Sequence, residues 1–263
     1  MIPLRWVNRV DLNCDLGEIE TEVGLAHDAA IIPMITSASV ACGEHAGSPE
    51  RMRAVARLCR IHDVAFGAHP GYADREHFGR QVVSMNRIEL FELLVRQIRL
   101  ASVIAAEEGL NLAHVKPHGA LYNLAADHDE TAEVLINAIV AVDRALLLFA
   151  FSGSRLATLA EASGIRVVSE AFADRNYDAS GQLVSRGRPD AVLLDSSIIA
   201  RRAVSMLRDQ CIASVEGAVI PLKVDTICVH GDTPQAAGIV AVLRSELVQN
   251  RIRVARPLEH SGE

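Results

Sequence analysis

The chain has 263 residues, 50% of them hydrophobic and 22% charged, with a formal net charge of −7. That is a soluble globular profile with enough apolar material for a large core. The acidic balance, with no basic run, excludes a nucleic-acid binder that works through a basic surface.

No apolar run approaches the roughly 18–20 residues that a membrane span needs, and the N-terminus has no signal-peptide pattern. The five cysteines, Cys14, Cys42, Cys59, Cys211 and Cys228, are scattered and form no CxxC. They read as reduced thiols rather than a disulfide framework, so a cytoplasmic protein without membrane attachment is expected. The length fits one α/β barrel over residues 1–263 better than two small domains.

In chain order, a short apolar strand, a polar loop and an amphipathic helix repeat. Val10–Leu12 reads as the first strand and runs into a polar turn from Asn13 to Glu18. Ser37–Ala41 is the second, ending at Cys42 to Gly47; Ser48 and Pro49 then read as an N-cap and first helical residue. That helix runs to about His62, with apolar residues at 52, 55, 58 and 59. Val64–Ala68 is the third strand, followed by His69-Pro-Gly-Tyr72 and a long loop to Arg80. A helix from about Asn86 to Glu108 closes at Gly109, a natural left-handed C-terminal residue.

Leu112–Val115 is the fourth strand and leads into Lys116-Pro-His118. Asp127 with Glu130 has the pattern of a capping box. Leu146–Ala150 is the fifth strand and opens a helix through Ser154. Arg166–Ser169 is the sixth, followed by Glu170 to Tyr177 and a loop to Pro189. A helix covers about Ser196 to Arg208, and 211–222 has no clear pattern. Asp225–Val229 is the seventh strand, ending in His230-Gly-Asp-Thr-Pro234, where Thr233 and Pro234 repeat the capped helix start. A last short strand is expected at Ile252–Ala255.

Alternating strands and helices imply a parallel sheet. Polar clusters follow strands one, two, three, four, six and seven, always at the C-terminal end. A barrel brings those ends to one mouth, whereas an open sheet holds the outer ones apart. The expectation is an α/β fold, a seven-stranded parallel β/α barrel of irregular TIM type.

The mouth inventory is Asn13, Asp15, Glu18, Glu44, His45, His69, Lys116, His118, Glu170, Asp174, Arg175, His230 and Asp232. Singly, most have plain readings: turn formers for Asn13 and Asp15, structural or solvated carboxylates for Glu18, Glu44 and Glu170, a cap for Asp232, small core thiols for Cys14 and Cys42. Jointly, four histidines after four different strands point to one site. Neutral imidazoles and a carboxylate are ordinary ligands of a divalent metal, with Asp15, His45, His69 and His118 as the donor set if one is bound. The chain has no HExxH, GxSxG, P-loop or GxGxxG sequence. The same residues equally suit a small acidic substrate.

Six segments carry a resemblance: Asp11-Leu-Asn-Cys-Asp-Leu-Gly-Glu18, Ala41-Cys-Gly-Glu-His-Ala-Gly47, Gly67-Ala-His-Pro-Gly71, Val115-Lys-Pro-His-Gly-Ala-Leu-Tyr-Asn123, Phe172-Ala-Asp-Arg-Asn-Tyr177 and Cys228-Val-His-Gly-Asp-Thr-Pro234. In order, they resemble the successive motifs of the LamB/YcsF family, whose characterised members are A subunits of the bacterial 5-oxoprolinase. The small departures are Glu44, Ser48 and Gln81. The resemblance implies a barrel of the glycoside hydrolase/deacetylase type. It implies ATP-dependent opening of the 5-oxo-L-proline lactam to L-glutamate, with ATP as co-substrate, Mg as its companion cation, and B and C subunits as partners. A homo-oligomer is compatible with it.

That chemistry needs cations for developing negative charge, for which Lys116, His118 and Arg175 are the candidates. It needs a base, Asp15 or Asp174. Asn13, His45, His69, His230 and Asp232 are expected to position the substrate. The competing expectations are a metal-dependent deacetylase or amidohydrolase working without ATP, and a non-catalytic substrate-binding subunit.

Overall fold

The computed structural model describes residues 8–231 and 235–257. Asp232 and the expected Thr233–Pro234 helix start lie outside the described residues. The strands are β1 (Arg9–Leu16), β2 (Ser37–Ala41), β3 (Ala65–His69), β4 (Leu112–Val115), β5 (Leu147–Phe151), β6 (Val167–Phe172), β7 (Cys211–Ala213), β8 (Val219–Pro221), β9 (Thr226–Val229) and β10 (Arg253–Val254). The first six run side by side in sequence order, β9 joins β6, and β9 also pairs β1. All of these pairings are parallel, so seven strands close into a barrel. β10 pairs with the start of β1 at Arg9 and Val10. The patternless 211–222 stretch is an antiparallel hairpin of β7 and β8, outside the ring.

Among the described residues, eight α-helices surround the ring: α1 (Glu22–Ile31), α2 (Pro49–His62), α3 (Arg87–Glu107), α4 (Gly119–Asp127), α5 (Asp129–Val142), α6 (Arg155–Ala162), α7 (Ser196–Asp209) and α8 (Ala236–Gln249). Their ends follow local chemistry. Ser48 caps α2 by accepting from the Arg51 N–H, with Pro49 at the first position. Asn86 and Glu89 form a capping box at α3. The capping box expected at Asp127 and Glu130 does not form. Asp127 is the last residue of α4, and the cap of α5 is His128, whose ring accepts from the Thr131 N–H. α4 and α5 follow each other so closely that the carboxylate is used up inside the first helix.

Strand side chains alternate between faces, and here the two faces differ in kind. Val10, Leu12, Cys14 and Leu16 of β1 join the large apolar core with helix residues such as Met52 and Val55. Asp11, Asn13 and Asp15 face the barrel interior. There, Thr226 and Ser37 hydroxyls donate to Asp11, and Asn13 reaches Glu170 across the neighbouring strand β9. TIM-type barrels are usually filled by layers of branched apolar residues. In this barrel Leu147, Phe149 and Val168 form a small separate apolar cluster, and the rest of the interior is largely polar. At Gly67 the interior backbone must be bare, because a Cβ there would overlap the His114 imidazole. That ring stacks on Phe149, centroids 4.1 Å apart.

Among the described residues no helix is long and apolar enough to cross a membrane.

Candidate active site

A cavity of about 490 Å³ opens at the C-terminal ends of the barrel strands. Its floor includes Asp15, His69, Lys116 and His118, and Arg80, Arg175 and Arg186 bring positive charge to its walls. One wall is the excursion between β6 and α7. It is tied to itself by bridges between Arg175 and Val192 and between Tyr177 and Leu183. Arg175 donates from Nη2 to the Val184 carbonyl at 2.6 Å and from Nε to the Ala191 carbonyl at 3.3 Å. Arg202 from α7 donates to the Arg175 carbonyl at 2.6 Å and holds the wall from behind.

Lys116, just past β4, is the hub of the floor. Its Nζ lies 2.8 Å from Asp15 Oδ1 and 2.8 Å from Glu170 Oε1. It donates to Asn13 Oδ1 and Cys228 Sγ, each at 3.0 Å. Burial works against the ammonium, but its neighbours, Asp15 first, more than offset that and hold its pKa well above the ordinary lysine value. Burial likewise works against charge on Asp15, and His69, Lys116 and His230 together hold its carboxyl below the usual range. Since His69 is itself kept neutral by burial, the Lys116 ammonium is the partner that matters. Glu170 is fully buried and also accepts from Asn13 Nδ2 and the Tyr122 hydroxyl, both at 2.8 Å. Such a network fixes a cation in a dry site with its geometry already set.

Beside this network sit three imidazoles. His45 and His118 stack at 3.8 Å, nearly parallel, and His69 meets both edge-on. His118 Nδ1 lies 2.9 Å from His69 Nε2. Glu18 Oε1 lies 3.5 Å from His118 Nδ1 and 3.8 Å from His45 Nε2. One ligand atom from each of these four residues falls within 4.8 Å of the others. Burial lowers the His45 and His118 pKa values to about 4 and that of His69 well below the ordinary value, so all three are neutral near pH 7. Neutral imidazoles with a carboxylate are the donor chemistry of zinc-like ions. The expected set has Asp15 as its carboxylate; Asp15 Oδ1 pairs with Lys116 while its Oδ2 lies 3.5 Å from His69 Nε2, and Glu18 adds a second carboxylate beside the imidazoles.

A second pair lies across the cavity. Asp174, fully buried, accepts from His230 Nδ1 at 2.9 Å. Burial works against its charge, but His230 outweighs it and holds the carboxyl below the usual range. This contact leaves Nε2 as the His230 ring nitrogen available to the cavity. The ring itself stacks on Phe172.

Of the residues expected from sequence, Asp15, His69, Lys116, His118, Arg175 and His230 line the cavity. Asn13, His45 and Asp174 sit immediately behind it, each 1% exposed or less. Asp232 lies outside the described residues. Cys14 and Cys42 are buried among apolar neighbours, and burial pushes the Cys42 thiol up to about 12. Sequence reasoning undervalued Glu170 and Glu18 and passed over Tyr122 and Cys228. The signal for Glu170 is its two-residue spacing from Val168 and Phe172, which puts it on the interior face. Glu44 pairs with Arg96 at 2.8 Å on the surface.

The LamB/YcsF family model matches residues 10–262. The chain is 45% identical over 246 residues to a Pyrococcus horikoshii protein named as the A subunit of 5-oxoprolinase, covering 94% of this chain and 96% of that one. It is 44% identical over 247 residues to a Nitrobacter hamburgensis protein of the same name, covering 94% and 97%. Among solved structures it resembles a lactam utilization protein from Thermus thermophilus, with a TM-score of 0.87, 38% identity and coverage of 94% of this chain and 99% of that one. A family 4 carbohydrate esterase from Streptomyces lividans, at TM-score 0.50, 9% identity and coverage of 98% and 97%, shares the fold alone.

Proposed function

The chain belongs to the LamB/YcsF family, and from that premise we propose that it is the A subunit of an ATP-dependent 5-oxoprolinase that opens 5-oxo-L-proline to L-glutamate. The observation that carries this reading is its 44–45% identity, over 94% of the chain, with relatives that bear that name. The cavity supports it: it is small and cation-lined, which suits an anionic lactam.

A lactam carbonyl is a poor electrophile. Transfer of the γ-phosphoryl group of ATP to the lactam oxygen releases ADP and activates the ring carbon. Water adds to that carbon and gives up a proton, the ring C–N bond breaks as its nitrogen is protonated, and a second water releases phosphate to leave glutamate. In this scheme Lys116, fixed by Asp15 and Glu170, stabilises negative charge developing at the lactam oxygen. His230 takes the proton from water through Nε2, and Asp174 sets its tautomer through Nδ1, the arrangement in which a buried carboxylate orients a histidine base. The base role expected for Asp174 therefore passes to the histidine it holds. Arg175, committed to backbone carbonyls, shapes the wall and contributes its charge to the substrate carboxylate. B and C subunits are the proposed partners.

The test is 5-oxoproline-dependent ADP release by the B and C subunits with this chain added or omitted. Release coupled to glutamate formation is expected only when it is present; equal coupled release without it would sink the proposal. A second reading, metal-assisted amide hydrolysis without nucleotide, is supported by the Glu18, His45, His69 and His118 cluster. Hydrolysis without ATP that is lost on chelation would favour it.

A further inference from the structure

We propose that Glu18, His45, His69 and His118 form a binding site for one divalent transition ion of the zinc type. The inference stands apart from the proposed reaction and rests on where the ring protons must be.

His69 Nδ1 is 2.7 Å from the Lys116 carbonyl oxygen. A carbonyl only accepts, so that nitrogen carries the proton. His118 Nε2 is 2.8 Å from the Phe78 carbonyl oxygen, and by the same reasoning carries a proton. In neutral rings the remaining nitrogens, His69 Nε2 and His118 Nδ1, are then bare lone pairs. These two atoms face each other at 2.9 Å. Two lone pairs at hydrogen-bond distance repel unless something positive lies between them or beside them.

A shared proton would satisfy that pair and nothing more. His45 decides between the two. It is 1% exposed, and both its ring nitrogens are buried without a hydrogen-bond partner. An imidazole enclosed with neither nitrogen satisfied is costly and uncommon. Its ring stacks on His118 and meets the His69 edge, and Glu18 brings a carboxylate oxygen to the same spot. One cation with several coordination positions satisfies all of these atoms at once.

Three imidazole nitrogens and one carboxylate oxygen favour zinc and its neighbours over calcium or magnesium, which prefer oxygen. The backbone carbonyls behind His69 and His118 are the outer partners that metal-binding histidines usually have, fixing tautomer and ring orientation. The donors come from the ends of β1, β2, β3 and β4. No sequence spacing of the HExxH kind therefore announces them; the barrel assembles them.

The experiment uses the tag-free full-length chain, stripped with a chelator and titrated with Zn²⁺ by calorimetry. Co²⁺ then serves as a spectroscopic probe of the coordination. One equivalent of Zn²⁺ and an intense visible Co²⁺ band are expected. His69→Ala and His118→Ala should each weaken binding by at least the roughly 100-fold that loss of an outer partner can reach, while His62→Ala, on the exposed end of α2, leaves it unchanged. Glu18→Gln keeps the side-chain volume. It should weaken binding and shift the Co²⁺ band even if the histidine variants fold poorly. Absence of stoichiometric binding in the wild type would overturn the inference, as would equal affinity in Glu18→Gln and wild type. ADP release by the assembled complex, measured on the same preparations, separates the two proposals. Activity without metal binding sinks the metal site alone; metal binding without 5-oxoproline-dependent ADP release sinks the proposed reaction alone.

Discussion

Replacing Lys116 by Met removes the hub of the barrel floor and keeps most of its volume. Its Nζ lies 2.8 Å from a carboxylate oxygen of Asp15 and 2.8 Å from one of Glu170. At an effective dielectric of about 20, one such pair is worth about 6 kcal/mol. Dehydrating the ammonium in the wild type offsets part of that, so the expected loss of stability is about 3–5 kcal/mol at pH 7.5. Set against a typical domain stability of about 5–15 kcal/mol, the variant stays folded but with much of its margin gone. The pH dependence follows from Asp15. In the wild type its folded pKa is depressed. Its contribution is therefore present above the unfolded value of about 3.9 and is lost as pH falls through the folded value. In the variant, burial acts without the cation, the folded pKa rises above the unfolded one, and the penalty is relieved as pH falls. The stability gap between the two proteins should accordingly narrow between pH 7.5 and pH 5. Urea unfolding at both values, followed by circular dichroism, measures it. A gap below about 1 kcal/mol at pH 7.5, or one that widens on acidification, would refute a charge-compensating role for Lys116.

Three other substitutions test different levels of the structure. Asp174→Asn should reduce the turnover number of the reconstituted complex by about 10²-fold or more, because the amide no longer fixes the His230 tautomer; an unchanged turnover number would remove the pair from the mechanism. Asp28, mostly buried and accepting from the Gly17 N–H at 3.2 Å, has its pKa raised by burial to about 7. A raised acid pKa costs stability as pH climbs from about 4 to about 7, so Asp28→Asn should be more stabilising at pH 8 than at pH 4, by about 2 kcal/mol or more, in paired urea titrations. Gly67→Ala places a Cβ on the His114 ring and should lower stability by about 1–3 kcal/mol, read as a fall in the thermal midpoint.

The sequence announced the barrel through its strand ends, and it misjudged β1 for a physical reason. Asn13 and Asp15 look like turn residues after a short apolar strand, yet the strand continues to Leu16. Their hydrophilicity marks the barrel interior, which polarity in a single strand cannot distinguish from solvent. The alternation with Leu12, Cys14 and Leu16 was the usable signal. Glu170 was obscured in the same way: it reads as the residue after the sixth strand but sits in the interior, where Asn13 bonds both it and Thr226. Of the four histidines expected together from strand ends, His45, His69 and His118 pack against one another while His230 pairs with Asp174; Glu18 as a companion of the three was not expected, because the strand ends do not say which carboxylates Lys116 takes. The strand without a polar cluster is equally informative. β5 supplies Leu147 and Phe149, and with Val168 they make the small apolar cluster inside the ring. His114 stacks on Phe149 and reaches Ser39 at 3.2 Å. That side of the interior can be packed as an ordinary core, while β1, β4 and β6 hold the charges. The division explains how a barrel keeps a lysine and three carboxylates in its centre and still folds: Lys116 answers both Asp15 and Glu170, hydroxyls of Thr36, Ser37 and Thr226 donate to Asp11, and the apolar side needs no such partner.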